Sequence, residues 1–438
     1  MNSGALNRWA AGVLPALALA QILGLALFSP PGVHPDEPLH IKTASYFLLH
    51  GLPPAASDAV VPDYLDARYG TSYLLASPPQ AVYPIAAHTV KWLGGRRHFT
   101  VVLRLFQAGL FALLAFAAWR ASAQTLLPAL ALVWTPQLWY VHSYFNGDAF
   151  PFFLAVLLGL QAGLPDSSFR RALDPATGPL CWRGLAAGAL PLGLLLLAKH
   201  NYYPFVLFAL AFLAWKTAVP DPAGRAVLFK RLGVALALAA VIPAMLIAHD
   251  RCINHGHKAE KKAALREQYA AEDFKPSRMS EPGNNDRLAL RAQGTAFSEL
   301  FTRLRWHRRI LRSFVGVYGP VTVEGPRAYY VAQTVLNSTL GILLLPLLYR
   351  TWDRSRAVLL PLTVTAVTLV FLLAFLFCWI YDYQPQGRYL FPLIPILLLA
   401  GLGWFEGRRL SLPPVIPLSL FLLGSVSFSL EACRHLLP

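Results

Sequence analysis

The sequence predicts an all-α protein, a polytopic bundle of about eleven transmembrane helices. Two observations carry that expectation. Of the 438 residues, 56% are hydrophobic and only 14% are charged. Soluble domains run nearer 45–50% apolar and about 25% charged. Apolar runs of roughly 17–25 residues also recur from end to end, the length that spans a bilayer. Together these exclude a soluble globular protein, a disordered chain and a fibrous repeat.

The runs fall near 9–28, 100–118, 122–141, 149–164, 184–198, 203–217, 232–248, 328–349, 357–378, 389–405 and 412–430. The first is read as a retained span rather than a cleaved signal peptide, because many spans follow it. Lys199-His200-Asn201 interrupts 184–217, as expected where two short spans meet at one surface. Residues 1–438 read as a single transmembrane domain with two long loops, 29–99 and 249–327.

Basic residues orient the bundle. With the N-terminus cytoplasmic, fourteen Lys and Arg lie in short cytoplasmic segments, among them Arg170, Lys216, Arg356, Arg408 and Arg409. Three, Lys199, Arg388 and Arg434, lie in short segments on the other side. That asymmetry places both long loops outside. The net charge of +16 is thereby divided between anchoring residues and a basic outer loop, and it gives no reason to expect a nucleic-acid partner.

Within the second loop, Phe297, Leu300, Phe301, Leu304, Leu311 and Phe314 recur at helical spacing, with Arg303, Arg305, Arg308, Arg309 and Arg312 between them. Residues 297–314 therefore predict one basic amphipathic helix lying on the membrane surface, or packed on another loop. Residues 271–295 are polar and carry Pro276, Pro282 and Gly283, and read as a mobile loop. In the first loop, 36–52 predicts a helix with Asp36 as N-cap, Pro38 in its first turn and Gly51 at its stop.

Charges avoid span interiors, and the remaining ones collect at one set of span ends. Asp36 and Glu37 follow the first run, Asp148 opens the fourth, Lys199 ends the fifth and Arg388 opens the tenth. Each has a structural reading and a chemical one. Asp36 and Glu37 either cap a helix and meet its dipole or serve as a general base. Asp148 either caps a span or contacts a substrate hydroxyl. Lys199 either snorkels beside Tyr202 and Tyr203 or meets a lipid phosphate. Arg388 either anchors the interface, pairs with Asp382, or grips a phosphate bidentately. Arg104 either joins that cluster or snorkels. His34, His40 and His88 read as structural histidines. HExxH, Walker A, GxGxxG and GxSxG sequences are absent, and the four cysteines, 181, 252, 378 and 433, form no CxxC. No metal site and no cofactor are expected, though a divalent cation stays open.

Four short elements, PDEPLH (35–40), NGDA (146–149), RSFVGVYG (312–319) and QGRYLFPLIP (386–395), together resemble the GT-C superfamily of integral membrane glycosyltransferases. That superfamily includes protein O-mannosyltransferases and the lipid A aminoarabinose transferase. The similarity is greatest to bacterial multi-spanning members of undefined substrate. The resemblance implies a GT-C type bundle in the bacterial inner membrane with its active site outside. It implies a sugar donor carried on a polyprenyl phosphate, and inverting transfer to a glycan, lipid or protein acceptor. By the same resemblance Asp36 is the base, with Glu37 as the other candidate. Asp148 is a supporting acid, and Arg388, in the GRY element with Tyr389, holds the lipid phosphate. Glu37, His40, Lys199 and Tyr389 are further substrate-binding candidates. The long domain that follows the last span in many such enzymes has no counterpart before Pro438, so acceptor recognition is expected in the loops, chiefly 249–327. The other function classes are a transporter or flippase of lipid-linked sugars and a surface-glycan polymerase or ligase. A transporter would want polar residues midway along several spans.

Overall fold

The structure, a computed structural model, describes residues 3–437 apart from 175, 177, 219–221, 282 and 408–414. Arg408 and Arg409 therefore lie outside the described residues. Among the described residues the regular structure is helical apart from one short hairpin. In order the helices are α1 (Ser3–Phe28), α2 (Glu37–Tyr46), α3 (Val82–Trp92), α4 (Phe99–Ala121), α5 (Leu127–Val133), α6 (Pro136–His142) and α7 (Ala149–Gly163). There follow α8 (Ser168–Leu173), α9 (Trp182–Leu196), α10 (Tyr203–Ala218), α11 (Pro222–Asn254), α12 (Lys258–Tyr269), α13 (Phe297–Thr302) and α14 (Trp306–Gly316). The last are α15 (Arg327–Arg350), α16 (Arg354–Ala357), α17 (Leu359–Ile380), α18 (Leu393–Trp404), α19 (Val415–Ser427) and α20 (Arg434–Leu436). A two-stranded antiparallel hairpin, β1 (Val317–Tyr318) and β2 (Val323–Glu324), sits between α14 and α15.

Among the described residues, seven helices are long and apolar enough to cross a membrane, against the eleven spans expected. The difference has physical causes. The run 122–141 is two seven-residue helices, because Pro136 opens α6 and holds Thr135 extended. The Thr135 hydroxyl then caps α6 by accepting from the Gln137 amide at 3.2 Å. Helices α7, α9 and α10 have 15, 15 and 16 residues. At about 1.5 Å per residue they reach roughly 22–24 Å, short of the ~30 Å hydrocarbon core. Apolarity alone could not show those lengths.

Helix α1 packs along α4, α9 along α11, and α18 against α7, which buries one continuous apolar core. The two ends of the bundle differ in chemistry. At one end Glu406, beyond α18, accepts from Arg170 at 3.1 Å and from Lys216, while Arg356 donates to its carbonyl. These three cations belong to the set the sequence assigns to the cytoplasm. At the other end the loops after α1, α6 and α9 and the turn before α18 meet.

Three loop expectations need correction. The described residues of 271–295 pack on the protein: Phe274, Leu288 and Leu290 are buried, and Ala289 and Arg291 donate to the Tyr381 and Trp379 carbonyls. Residues 297–314 form two helices, α13 and α14, not one. Arg305 takes a left-handed conformation (φ 52°) between them and turns the chain. Their apolar residues face protein more than lipid. Phe297 and Phe301 pack on Phe375 of α17, and Leu300, Trp306 and Ile310 are buried. In the first loop α2 stops at Tyr46, before Gly51.

Candidate functional site

The four end charges, far apart in sequence, form one connected network. Lys199 donates to Asp148 at 2.8 Å. Arg388 donates to Asp148 at 3.3 Å and, with its other terminal nitrogen, to Asp36 at 3.3 Å. Burial grades along this chain. Asp148 is 1% exposed, Arg388 9% and Asp36 42%. Asp36 alone of the two carboxylates opens outward.

Local sequence sets each position. Asp36 lies between Pro35 and Glu37-Pro38 in a left-handed conformation (φ 59°), which Asp tolerates better than most residues. It occupies the cap position of α2 but makes no side-chain cap, so its carboxylate is free to meet Arg388. Asp148 likewise stands at the start of α7 without capping it. Asn146 does that work: its carbonyl oxygen accepts from the Asp148 and Ala149 amides at 2.7 and 3.2 Å. Asp148 is thereby left for Lys199 and Arg388. Asp382 accepts from Gln384 instead of pairing with Arg388.

Glu37 points into the core rather than toward Arg388. It is fully buried and takes a bidentate pair from Arg104 at 2.7 and 2.6 Å, plus the Phe145 amide at 3.2 Å. Arg104 also donates to the Ser29 carbonyl at 2.7 Å. The pair ties the first loop to α4 and to the loop before α7. His40 is buried, its Nδ1 bonded to the Tyr83 hydroxyl at 2.8 Å and its ring stacked on Tyr73. Burial, with Lys199 and Arg388 nearby, holds it well below the usual histidine pKa, and it stays neutral. Its Nε2 is buried without a partner. His34, bonded to Ser29 and Tyr140, is pushed down to about 3, chiefly by burial. Tyr389 is half-buried with its ring beside Phe377.

The GRY element is fixed by backbone contact. Gly387 donates to the Ser313 hydroxyl at 2.9 Å, and a Cβ at this position would lie 2.0 Å from the Phe314 nitrogen. Only glycine lets the Arg388 turn approach α14 this closely. Gly387→Ala is expected to destabilise the protein by at least about 1–3 kcal/mol, the usual cost of overpacking, and to displace Arg388. Thermal unfolding of the purified protein measures it; an unchanged midpoint would show that α14 yields freely.

Asp36 opens into a polar cavity of about 1050 Å³. Six arginines line it, at 68, 287, 305, 308, 309 and 312, against three acids, Asp36, Asp66 and Glu324. Arg308 and Arg312 also line a second, more apolar groove of about 980 Å³, walled by Leu311, Phe314, Val331 and Leu393. Trp134 and Asn337 continue this groove into an apolar pocket of about 430 Å³ between α5, α15 and α18. Arg308 and Arg312 thus border both a polar chamber and an apolar track. Arg68 and Arg287 carried no sequence signal. The arginines of α14 did, in their helical spacing, which left open whether lipid or another part of the protein covers the apolar face. Among the described residues, no three His, Cys, Asp or Glu side chains gather in a way that could hold a metal ion.

No protein-family description, no curated protein and no solved structure matches this chain.

Proposed function

We propose that this chain is an inverting glycosyltransferase of the membrane, taking a sugar from a polyprenyl phosphate. The observation that carries the reading is that Arg308 and Arg312 border both the Asp36 cavity and an apolar groove. An amphiphile with an anionic head fits that arrangement. Its tail follows the groove, its phosphate lies at the two arginines, and its sugar enters the chamber beside Asp36. Three of the four elements of the GT-C resemblance line this chamber, and the fourth, NGDA, connects to it through Asp148 and Arg388. RSFVGVYG is held on α6 by Gln137, which accepts from the Val317 amide at 3.0 Å, and by Tyr140, which accepts from the Gly319 amide at 3.0 Å.

In the reaction, the oxygen of an acceptor hydroxyl attacks the anomeric carbon. The bond from that carbon to the phosphate oxygen breaks, and polyprenyl phosphate leaves as an anion. Asp36 takes the hydroxyl proton. Arg388 orients the Asp36 carboxylate, and Asp148 with Lys199 holds Arg388 in place. Fixed guanidinium groups at the leaving phosphate stabilise its growing charge. Because Arg388 is buried and engaged by two carboxylates, we assign the phosphate to the exposed Arg308 and Arg312, the latter held only by a solvent-exposed contact to Glu324 at 3.4 Å. In this reading the chamber faces the outside of a bacterial inner membrane, with the Glu406 end in the cytoplasm. Transport is less favoured, since the charged network stands at helix ends rather than midway along the spans.

Membranes containing the protein, supplied with radiolabelled undecaprenyl-phosphate hexoses, are expected to move label from the lipid fraction to acceptor. Arg308→Gln with Arg312→Gln is expected to raise the donor KM at least about tenfold, the loss of charge-assisted hydrogen bonds. Transfer at wild-type donor affinity would refute the phosphate assignment.

A further inference from the structure

Two of the six cavity arginines touch the apolar groove; the other four, Arg68, Arg287, Arg305 and Arg309, line the polar chamber and not the groove. Among the described residues none of the four is in an ion pair. They gather around one loop. Arg309 lies over the Tyr383 ring, the Arg287 carbonyl accepts from the Tyr383 amide at 2.7 Å, and the Tyr383 hydroxyl donates to Leu304, next to Arg305. Arg68 lies over Phe274, in the segment that packs below this loop. The acids nearby are few: Glu324 is paired with Arg312 at 3.4 Å, and Asp382 faces both Arg287 and Arg68 without a salt bridge to either. Asp66 accepts from the Arg68 and Tyr69 amides, and Asp382 from Gln384. Burial also pushes Asp382 above the usual carboxylate range.

Four unpaired guanidinium groups in one chamber repel each other, and that arrangement persists at a functional site when a ligand supplies the counter-charge. A single donor phosphate at Arg308 and Arg312 leaves Arg305 and Arg309 without a counter-charge and Arg68 and Arg287 with one carboxylate, Asp382, between them. The chamber also has room: its 1050 Å³ is at the upper end of small-molecule sites. We infer that the acceptor is polyanionic, presenting two or more phosphate or carboxylate groups to Arg68, Arg287, Arg305 and Arg309 beside the hydroxyl that Asp36 deprotonates. This rests on the glycosyl-transfer reading and adds the acceptor's class to it.

The test uses the full chain in nanodiscs of neutral phosphatidylcholine, so that no anionic lipid competes. Inorganic tripolyphosphate, titrated by calorimetry, is the soluble polyanion; undecaprenyl phosphate, followed by native mass spectrometry, is the lipid-borne phosphate. Arg305→Gln with Arg309→Gln, both exposed, is expected to weaken tripolyphosphate at least about tenfold and leave undecaprenyl phosphate unchanged. Arg68→Gln with Arg287→Gln is expected to do the same. No tripolyphosphate binding to wild type, or unchanged affinity in both variants, would overturn the inference. Loss of undecaprenyl phosphate in these variants would also overturn it, by giving the arginines to the donor. If wild type binds tripolyphosphate through these arginines but not undecaprenyl phosphate, the donor reading fails and the anion site stands.

Discussion

Asp36→Asn is expected to lower sugar transfer by about 10²–10⁴-fold, the range general-base catalysis contributes, while the protein folds and melts as wild type does. The amide keeps the shape of the side chain but cannot accept the hydroxyl proton. Its carbonyl oxygen can still meet Arg388, so donor and acceptor sites stay in place and KM for both changes little. Asp36 is also the exposed member of its network, 42% against 1% for Asp148, and the buried Arg388 keeps Asp148 as its other carboxylate partner. The check is a rate measured alongside a thermal melt. Transfer within a few-fold of wild type would remove Asp36 from the proton path.

Glu37→Gln is expected to behave in the opposite way. It leaves Arg104, only 2% exposed, as a buried cation without its bidentate carboxylate. Breaking one side of a buried ion pair costs about 3–5 kcal/mol, a large part of a typical protein's stability. The variant is expected to give a much lower unfolding midpoint and little monodisperse protein in detergent. Any protein that does fold is expected to retain transfer, because Glu37 points into the core rather than toward Arg388. A normal melt with lost transfer would exchange the roles of these adjacent acids. The two variants together decide a question that adjacency in sequence leaves open.

Several features of the bundle were legible in the residues. Apolar composition and period point to helices, and the cost of burying charge places Asp36, Asp148, Lys199 and Arg388 at helix ends. The break at Lys199-His200-Asn201 is visible as an interruption, and α9 and α10 flank it. Helix length within the membrane was less legible. Hydropathy integrates apolar residues and overlooks that Thr135-Pro136 starts a new helix, or that fifteen-residue helices fall short of the bilayer. The α14 arginines show the same limit. Their spacing reveals an amphipathic helix, yet spacing does not say what covers each face. Here Phe375 and Trp379 of α17 lie against the preceding turn, and the arginines face the chamber.

By itself the sequence determined an all-helical, membrane-type chain and the small set of charges available for chemistry. Tertiary structure decided which of those charges are used for folding and which remain for a substrate. A desolvated charge is stable only beside a partner in space, whatever their separation along the chain. Arg388 finds its partners 240 and 352 residues away, and Arg104 finds Glu37 at 67. No local pattern encodes those meetings. They leave Glu37 neutralised in the core, Asp36 open to the chamber, and four arginines facing it with no carboxylate of their own.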